Sequence, residues 1–395
     1  MVLWKGIIVM SQSYVSEIRR KLHMYPETGT QLPMTLALLR QELETLGVSY
    51  TEDYGVSSIV ATVNPEKSHF TIGIRADTDA LPIQEQNDVP YCSRIDGHMH
   101  ACGHDAHTAI ALATLREIWN RREQINCRVK FLFQSSEEAA PSGAKRMVQD
   151  RVMEDIDCIV ALHCDPSVEA GQIALSSGPQ NATSDGFYLD FYGKSSHAAK
   201  QEAGVDAIMM AVRAYTDIEF MLAKEVAAKH PVIFNVGSIH GGEVNNVLCD
   251  HCTLHCSLRT QDDTVASYVQ DKIQKIITAV ASTAGGRATY TPNQHLPIVH
   301  NHERLTQQID IAAQKVIGAE NLRPHIRTSG GEDFSYFASE KPGCMFRLGV
   351  RNAEKGITYD LHQDRFDIDE AALEIGVNVF LQFILDNMNG IDFSE

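Results

Sequence analysis

The chain has 395 residues, a formal charge of −17 and nine cysteines. That length exceeds what one hydrophobic core usually holds, so two domains are expected, and the acidic balance argues against nucleic acid or an anionic membrane surface as a partner. No stretch is long and apolar enough to span a bilayer, and an odd number of cysteines without scaffold spacing suits reduced thiols in a cytoplasmic protein.

The first ten residues are only weakly signal-like, because the apolar run is short and lacks a small-residue cleavage site; an alternative start with Met10 as initiator is the simpler account. Apolar spacing then predicts a helix over residues 14–24, stopping before Pro26, and another over residues 35–46, before Gly47. The run Phe70 to Ile74 reads as a buried strand leading into Arg75-Ala-Asp77-Thr-Asp79. Asp105 is placed to cap a helix carrying Ile110, Leu112, Leu115 and Ile118, which puts Cys102 and His104 just before its N-terminus. Two further buried strands follow, Val129 to Phe133 before Gln134-Ser-Ser-Glu137-Glu138, and Cys158 to Leu162 before His163.

From about Ser184 to Pro292 the pattern changes to a strand over residues 186–192, a helix over 205–222, strands over 232–239 and 247–258, a helix over 266–284 and a strand near 287–291. This β-α-β-β-α-β order fits a small ferredoxin-like unit.

The chemistry concentrates in His98-Met-His-Ala-Cys-Gly-His-Asp-Ala-His107, where four imidazoles, a thiol and a carboxylate fall within ten residues. Gly103 between Cys102 and His104 permits backbone angles at which side chains two apart converge, and thiolate and imidazole both suit zinc and its divalent neighbours. Further candidates, Glu137, Glu138 and His163, stand where strands end, and an open, largely parallel α/β sheet gathers ligands in the crevice there. His362 is a further, late candidate. Of the adjacent pair Glu137 and Glu138, one can bind metal while the other faces substrate and moves a proton; a solvated acidic loop is the bland alternative.

The vivid cluster Cys249-Asp-His-Cys252-Thr-Leu-His255-Cys256 reads as a decoy. On a strand, Cys249, His251 and His255 point to one face and Cys252 and Cys256 to the other, so the donors diverge and ordinary core cysteines are expected.

Taken in order, Arg19-Arg-Lys-Leu-His23-Met-Tyr-Pro26-Glu27, Arg75-Ala-Asp-Thr-Asp79-Ala-Leu-Pro82, His100-Ala-Cys-Gly-His-Asp105, Glu137-Glu138, Leu162-His163, His197-Ala-Ala, Asn246-Val-Leu, Gly331-Glu-Asp-Phe334 and Leu361-His362 span nearly the whole chain. In these motifs the sequence resembles the aminoacylase, hippurate hydrolase and carboxypeptidase group of dinuclear metal amidohydrolases. The resemblance implies an α/β zinc-peptidase-like catalytic domain (residues 1–183 and 294–395) with an inserted ferredoxin-like α+β lid and dimerisation domain (residues 184–293). It implies two divalent metal ions (zinc, manganese, cobalt or nickel) bridged by Cys102 and completed by His104, Glu138, His163 and His362. Glu137 becomes the general base, and Asp77 an outer carboxylate orienting a ligand imidazole.

Asn246 and Arg259, read as lying on one strand, match positions that hold a substrate carboxylate. His197 matches a lid histidine that reaches the partner subunit's active site and stabilises an oxyanion. Ser195-Ser196 replaces the usual glycine pair, Gln201 stands at a common proline and Ser329 at a usual methionine, all of which bear on the substrate pocket. The expected activity is deacylation of N-acyl amino acids by a cytoplasmic homodimer, with no nucleic-acid or membrane partner. A carboxypeptidase or dipeptidase would use the same residues. A catalytically silent binding protein of this fold would be expected to have lost ligands, and none is missing.

Overall fold

A computed structural model describes residues 12–226 and 228–394. The reading of the first ten residues lies outside the described residues. The chain forms two compact units: Met1–Gln180 with Val299–Ile326 and Asp333–Glu395, and Asn181–Ile298 with Arg327–Glu332.

The first unit opens with α1 (Gln12–Met24), α2 (Pro33–Leu46), β1 (Ser49–Thr51), β2 (Ile59–Val63) and β3 (Thr71–Asp77). It continues through α3 (His104–Asn120), β4 (Arg128–Gln134), α4 (Gly143–Gln149), β5 (Cys158–Glu169), β6 (Ile173–Ala174) and β7 (Gly178–Pro179). The second unit contributes β8 (Ser184–Tyr192), α5 (Ala207–Met221), β9 (Val232–Gly241), β10 (His251–Thr260), α6 (Asp263–Ala284) and β11 (Arg287–Leu296). The chain then completes the first unit with β12 (His300–Asn301), α7 (Glu303–Ile317), β13 (Leu322–Arg323), α8 (Phe334–Glu340), β14 (Gly343–Arg351) and α9 (Ala371–Asn387).

In the first unit an eight-stranded sheet runs β1-β2-β4-β3-β5-β14-β6-β13. Its centre, β4-β3-β5-β14, is parallel. Every residue of β3 is buried, as expected for a parallel strand covered on both faces. Helix α3, buried along most of its length, packs on this sheet together with α9, and α1 packs against both helices. From β3 the chain moves to β4 on one side and later to β5 on the other, which creates a topological switch point at the carboxyl ends of these strands.

In the second unit four strands pair antiparallel in the order β11-β8-β10-β9, the ferredoxin-like arrangement. Strand β8 alternates buried and half-buried residues, and its buried face, Phe187, Leu189 and Phe191, joins the apolar sides of α5 and α6 in one core.

Several local expectations need correction. Asp105 does not cap α3: Gly103 takes the N-cap position at φ +85°, and His104 is already the first helical residue. A side chain at Gly103 would come within 3.0 Å of Cys164 Cβ, so glycine serves there both for its backbone angle and for its lack of bulk. Strand β5 does not stop at His163 but continues to Glu169, because β14 keeps pairing with it beyond the point where β3 ends. Asn246 and Arg259 do not share a strand: β10 begins at His251, and Asn246 lies in the connection after Gly242, whose φ of +76° turns the chain out of the sheet. Residues 327–332 join the second unit rather than the first, since Arg327 donates to the carbonyls of Asn181 and Gln261 and Arg259 Nη1 donates to Ser329 O at 3.0 Å.

Candidate metal centre

The switch point of the first unit gathers the donor residues. Cys102 precedes the Gly103 turn and His104 opens α3. Glu137 and Glu138 follow β4, after Ser136 at φ +53°, and His163 sits within β5. His362 comes from the loop before α9 and holds φ +63°, in the left-handed region that few residues other than glycine occupy. Its backbone N–H donates to Ala101 O at 2.8 Å, fastening that loop to the Cys102 segment.

Two donor triplets share one thiol. Donor atoms of Cys102, His104 and His163 all lie within 4.8 Å of one another, and so do those of Cys102, Glu138 and His362. His104, Glu137 and Glu138 form a third such group. His163 Nε2 stands 3.5 Å from Cys102 Sγ, and His362 Nε2 is 3.1 Å from Glu138 Oε1. Buried Nε2 of His104 has no hydrogen-bond partner, although buried polar atoms are nearly always satisfied. Sulfur, imidazole nitrogen and carboxylate oxygen are a donor set suited to zinc and similar divalent ions, so these residues fit a metal centre.

Hydrogen bonds fix the imidazole tautomers. His104 Nδ1–H donates to the carbonyl of Asp79 at 2.8 Å and His163 Nδ1–H to the carbonyl of Cys164 at 2.7 Å. In each ring Nδ1 is thus occupied and Nε2 is the nitrogen left to face Cys102. Burial, aided by Arg347, holds His163 well below its usual range. Burial opposes protonation of His104 too, but Asp77 and Cys102 outweigh it and raise the group, so a positive charge is favoured at this Nε2. Burial pushes the Cys102 thiol well up, with Glu138 adding to the effect; a nearby cation is what makes a thiolate stable there.

Asp77 stands beside this centre in an unexpected way. Its closest imidazole is His107, 2.6 Å away, whereas His104 Nε2 is 3.5 Å away. Burial would raise the Asp77 carboxyl, but Arg75, His104 and His107 hold it well below the carboxylate range. Asp79, quoted in a motif but given no role, proves central to the site. Fully buried, it accepts the backbone N–H of Glu137 through Oδ1 at 3.0 Å and that of Glu138 through Oδ2 at 3.2 Å. It thereby sets the turn that separates the two glutamates. The available signal was its place two residues after Asp77 at a strand end.

The remaining members of the histidine cluster divide. His98 is tied to the carbonyl of Asp96, and His100 is buried with neither ring nitrogen hydrogen-bonded. Asp105 faces away from the donors, into a network with Arg19 at 2.7 Å and His23 at 2.8 Å.

In the second unit, His197 Nδ1 accepts the N–H of Ala199 at 3.0 Å. This leaves Nε2–H as an outward donor on an exposed ring. Arg259 is at the end of β10, and Asn246 is exposed in the preceding loop. The decoy cluster stays apart: Cys252 and Cys256 are buried among apolar side chains, His251 and His255 stack on Tyr192 and Tyr188, and no metal-type group forms there among the described residues.

Comparison with known proteins agrees with this architecture. The sequence pattern of peptidase family M20/M25/M40 matches residues 73–386, and the chain belongs to that family. It is a metal-binding hydrolase of amide bonds. It is 31% identical to the N-acetyl-L-cysteine deacetylase of Bacillus subtilis over 90% of this chain and 84% of that protein. It is 30% identical to thermostable carboxypeptidase 1 of Saccharolobus solfataricus over 92% and 93% respectively. The crystal structure of Bacillus subtilis YXEP protein, a dinuclear metal-binding peptidase of the M20 family, superposes with a TM-score of 0.80 at 26% identity, covering 96% of this chain and 99% of that one.

Proposed function

We propose that the protein deacylates N-acyl amino acids, using two divalent metal ions held by Cys102, His104, Glu138, His163 and His362. The observation that carries this reading is the single thiol common to two donor triplets, the arrangement a bridging ligand needs. Bound divalent ions would supply Lewis acidity toward the acyl carbonyl and the attacking water.

Glu137 takes a proton from the attacking water as the new C–O bond forms, and returns it to the departing amine nitrogen as the C–N bond breaks. Asp79 holds the Glu137 backbone so that this carboxylate and the Glu138 ligand face different tasks. Arg259, with N–H groups beyond the one spent on Ser329 O, and Asn246 receive the carboxylate of the amino-acid half. His197 donates through Nε2–H to the oxyanion in the partner subunit's active site.

The assembly is a homodimer through the inserted domain. In support, the outer side of α5 exposes Met209, Val212 and Phe220, and the edge strand β9 exposes Ile233 and Ile239; exposed apolar surface of this kind marks interaction sites.

A carboxypeptidase acting on small peptides is the second reading, favoured by the similarity to a carboxypeptidase at nearly the same identity as to a deacetylase. The deciding experiment assays N-acetyl, N-benzoyl, N-succinyl and indole-acetyl amino acids beside dipeptides, after reconstitution with zinc, manganese, cobalt or nickel. Turnover of acyl amino acids well above peptides is expected, and the reverse order establishes the peptidase. Cys102→Ala is expected to lose at least one metal equivalent; full occupancy with full activity in that variant removes the bridging role.

A further inference from the structure

His107 is the imidazole of the cluster that the proposed chemistry leaves idle. It lies one turn beyond His104 on α3 and is 2% exposed. Its ring packs against two candidate ligands, with centroids 5.4 Å from His104 and 4.8 Å from His163.

Both of its nitrogens are committed. Nε2 accepts the backbone N–H of Cys164 at 2.9 Å, which requires the proton to reside on Nδ1, and Nδ1–H donates to Asp77 Oδ1 at 2.6 Å. The ring therefore has no lone pair left for a cation, although its nitrogen lies within 4.8 Å of donor atoms of Asp77 and His104.

We infer that His107 is a positioning residue for the metal centre, which orients His163 and spaces it from His104 without binding metal itself. The inference rests on the ligand set proposed above. The peptide of Cys164 is pinned at both ends, its N–H by His107 and its carbonyl by the Nδ1–H of His163, so the His163 ring hangs from a backbone segment that His107 fixes.

On the opposite side, Asp77 Oδ2 accepts from Arg75 Nη1 at 2.7 Å, while Arg75 Nε donates to Gln134 at 2.8 Å and Nη2 to Asp333 at 2.8 Å. His107 is thus anchored to the ends of β3 and β4 and to the residue before α8, all of them buried. Metal affinity depends on how rigidly ligands are presented, and loss of an outer partner typically weakens it by about 10–100-fold.

The test uses cobalt(II) added to the metal-free protein. His107→Phe keeps a planar ring but removes both hydrogen bonds; His107→Gln offers Oε1 as an acceptor for the Cys164 N–H. In competition with a chromophoric chelator, His107→Phe is expected to bind cobalt roughly 10–100-fold more weakly, with a shifted visible absorption, while circular dichroism of the metal-free protein stays near wild type and its melting falls only by what the two lost hydrogen bonds account for. His107→Gln is expected to recover part of the affinity, and it decides the matter if the Phe variant does not fold.

Wild-type affinity and absorption in both variants overturn the inference. So does affinity lost only in step with the fold of the metal-free protein, which makes His107 merely structural. Loss of a whole cobalt equivalent in His107→Gln with the fold intact makes it a ligand instead. A wild-type protein that takes up no cobalt overturns the proposed ligand set itself.

Discussion

Asp79→Asn isolates the turn that separates Glu137 from Glu138. The two shapes are nearly identical, but asparagine replaces one acceptor oxygen with an amide NH2. Because Oδ1 and Oδ2 each accept one backbone N–H, at 3.0 and 3.2 Å, one of the two glutamate amides must then face a donor. Leaving a buried N–H unsatisfied costs about 1–3 kcal/mol. If that cost is relieved by displacement of the Glu137 carboxylate, kcat falls by roughly one to two orders of magnitude. The His104 Nδ1–H bond runs to the backbone carbonyl of Asp79 and survives the substitution, so the variant should retain its His104 ligand and a near-normal KM. Steady-state kinetics on the best acyl amino acid, with metal analysis of the same sample, measures all three quantities. A kcat within twofold of wild type, with metal retained and melting unchanged, would refute the reasoning, since the turn would then not depend on this carboxylate.

Glu137→Gln should keep metal and bind substrate while turnover drops by about two to four orders of magnitude, whereas Glu138→Ala should lose metal; exchanged phenotypes in metal analysis and kinetics would reverse the two assignments. Neither a Glu137→Gln nor a His197→Ala homodimer should be active, yet a mixed dimer of the two chains carries one site intact in both residues and should regain activity. An inactive His197→Ala enzyme whose demonstrated heterodimers recover nothing would confine His197 to its own chain. Stability should also depend on His23. Burial and Arg19 lower its basicity, but Asp105 and Glu85 more than compensate and raise it to about 8 from an ordinary 6.5. A raised value means the stabilisation, about 2 kcal/mol, is fully present below pH 6.5 and lost as pH rises through 8. Urea titrations at pH 6 and 9 should show this loss in the wild type and a smaller one in His23→Gln; equal slopes in both would remove His23 from the account.

The sequence alone marked the candidate metal centre, because thiol, imidazole and paired carboxylates are too concentrated in residues 98–107 and at 137–138 to serve folding only. It also marked a change of pattern near Ser184, since β8 alternates with period two while the run from Phe70 to Ile74 is mostly apolar, and burial on one face or on both writes those two patterns directly. The failure of the Cys249–Cys256 cluster was legible for the same reason from His251 to Cys256, where strand periodicity sends neighbouring donors to opposite faces, although Cys249 lies before the strand.

Tertiary structure alone decided which donors meet. The triplets sharing Cys102 join residues from the α3 entry, the ends of β4 and β5 and the loop before α9, and no local periodicity specifies which strand ends adjoin. Asp79 and His107 stood in the quoted motifs, but their roles were not legible for a related reason. Their partners are the backbone amides of Glu137, Glu138 and Cys164, groups that every residue carries, so their selection rests on where the chain passes and not on what the side chains are.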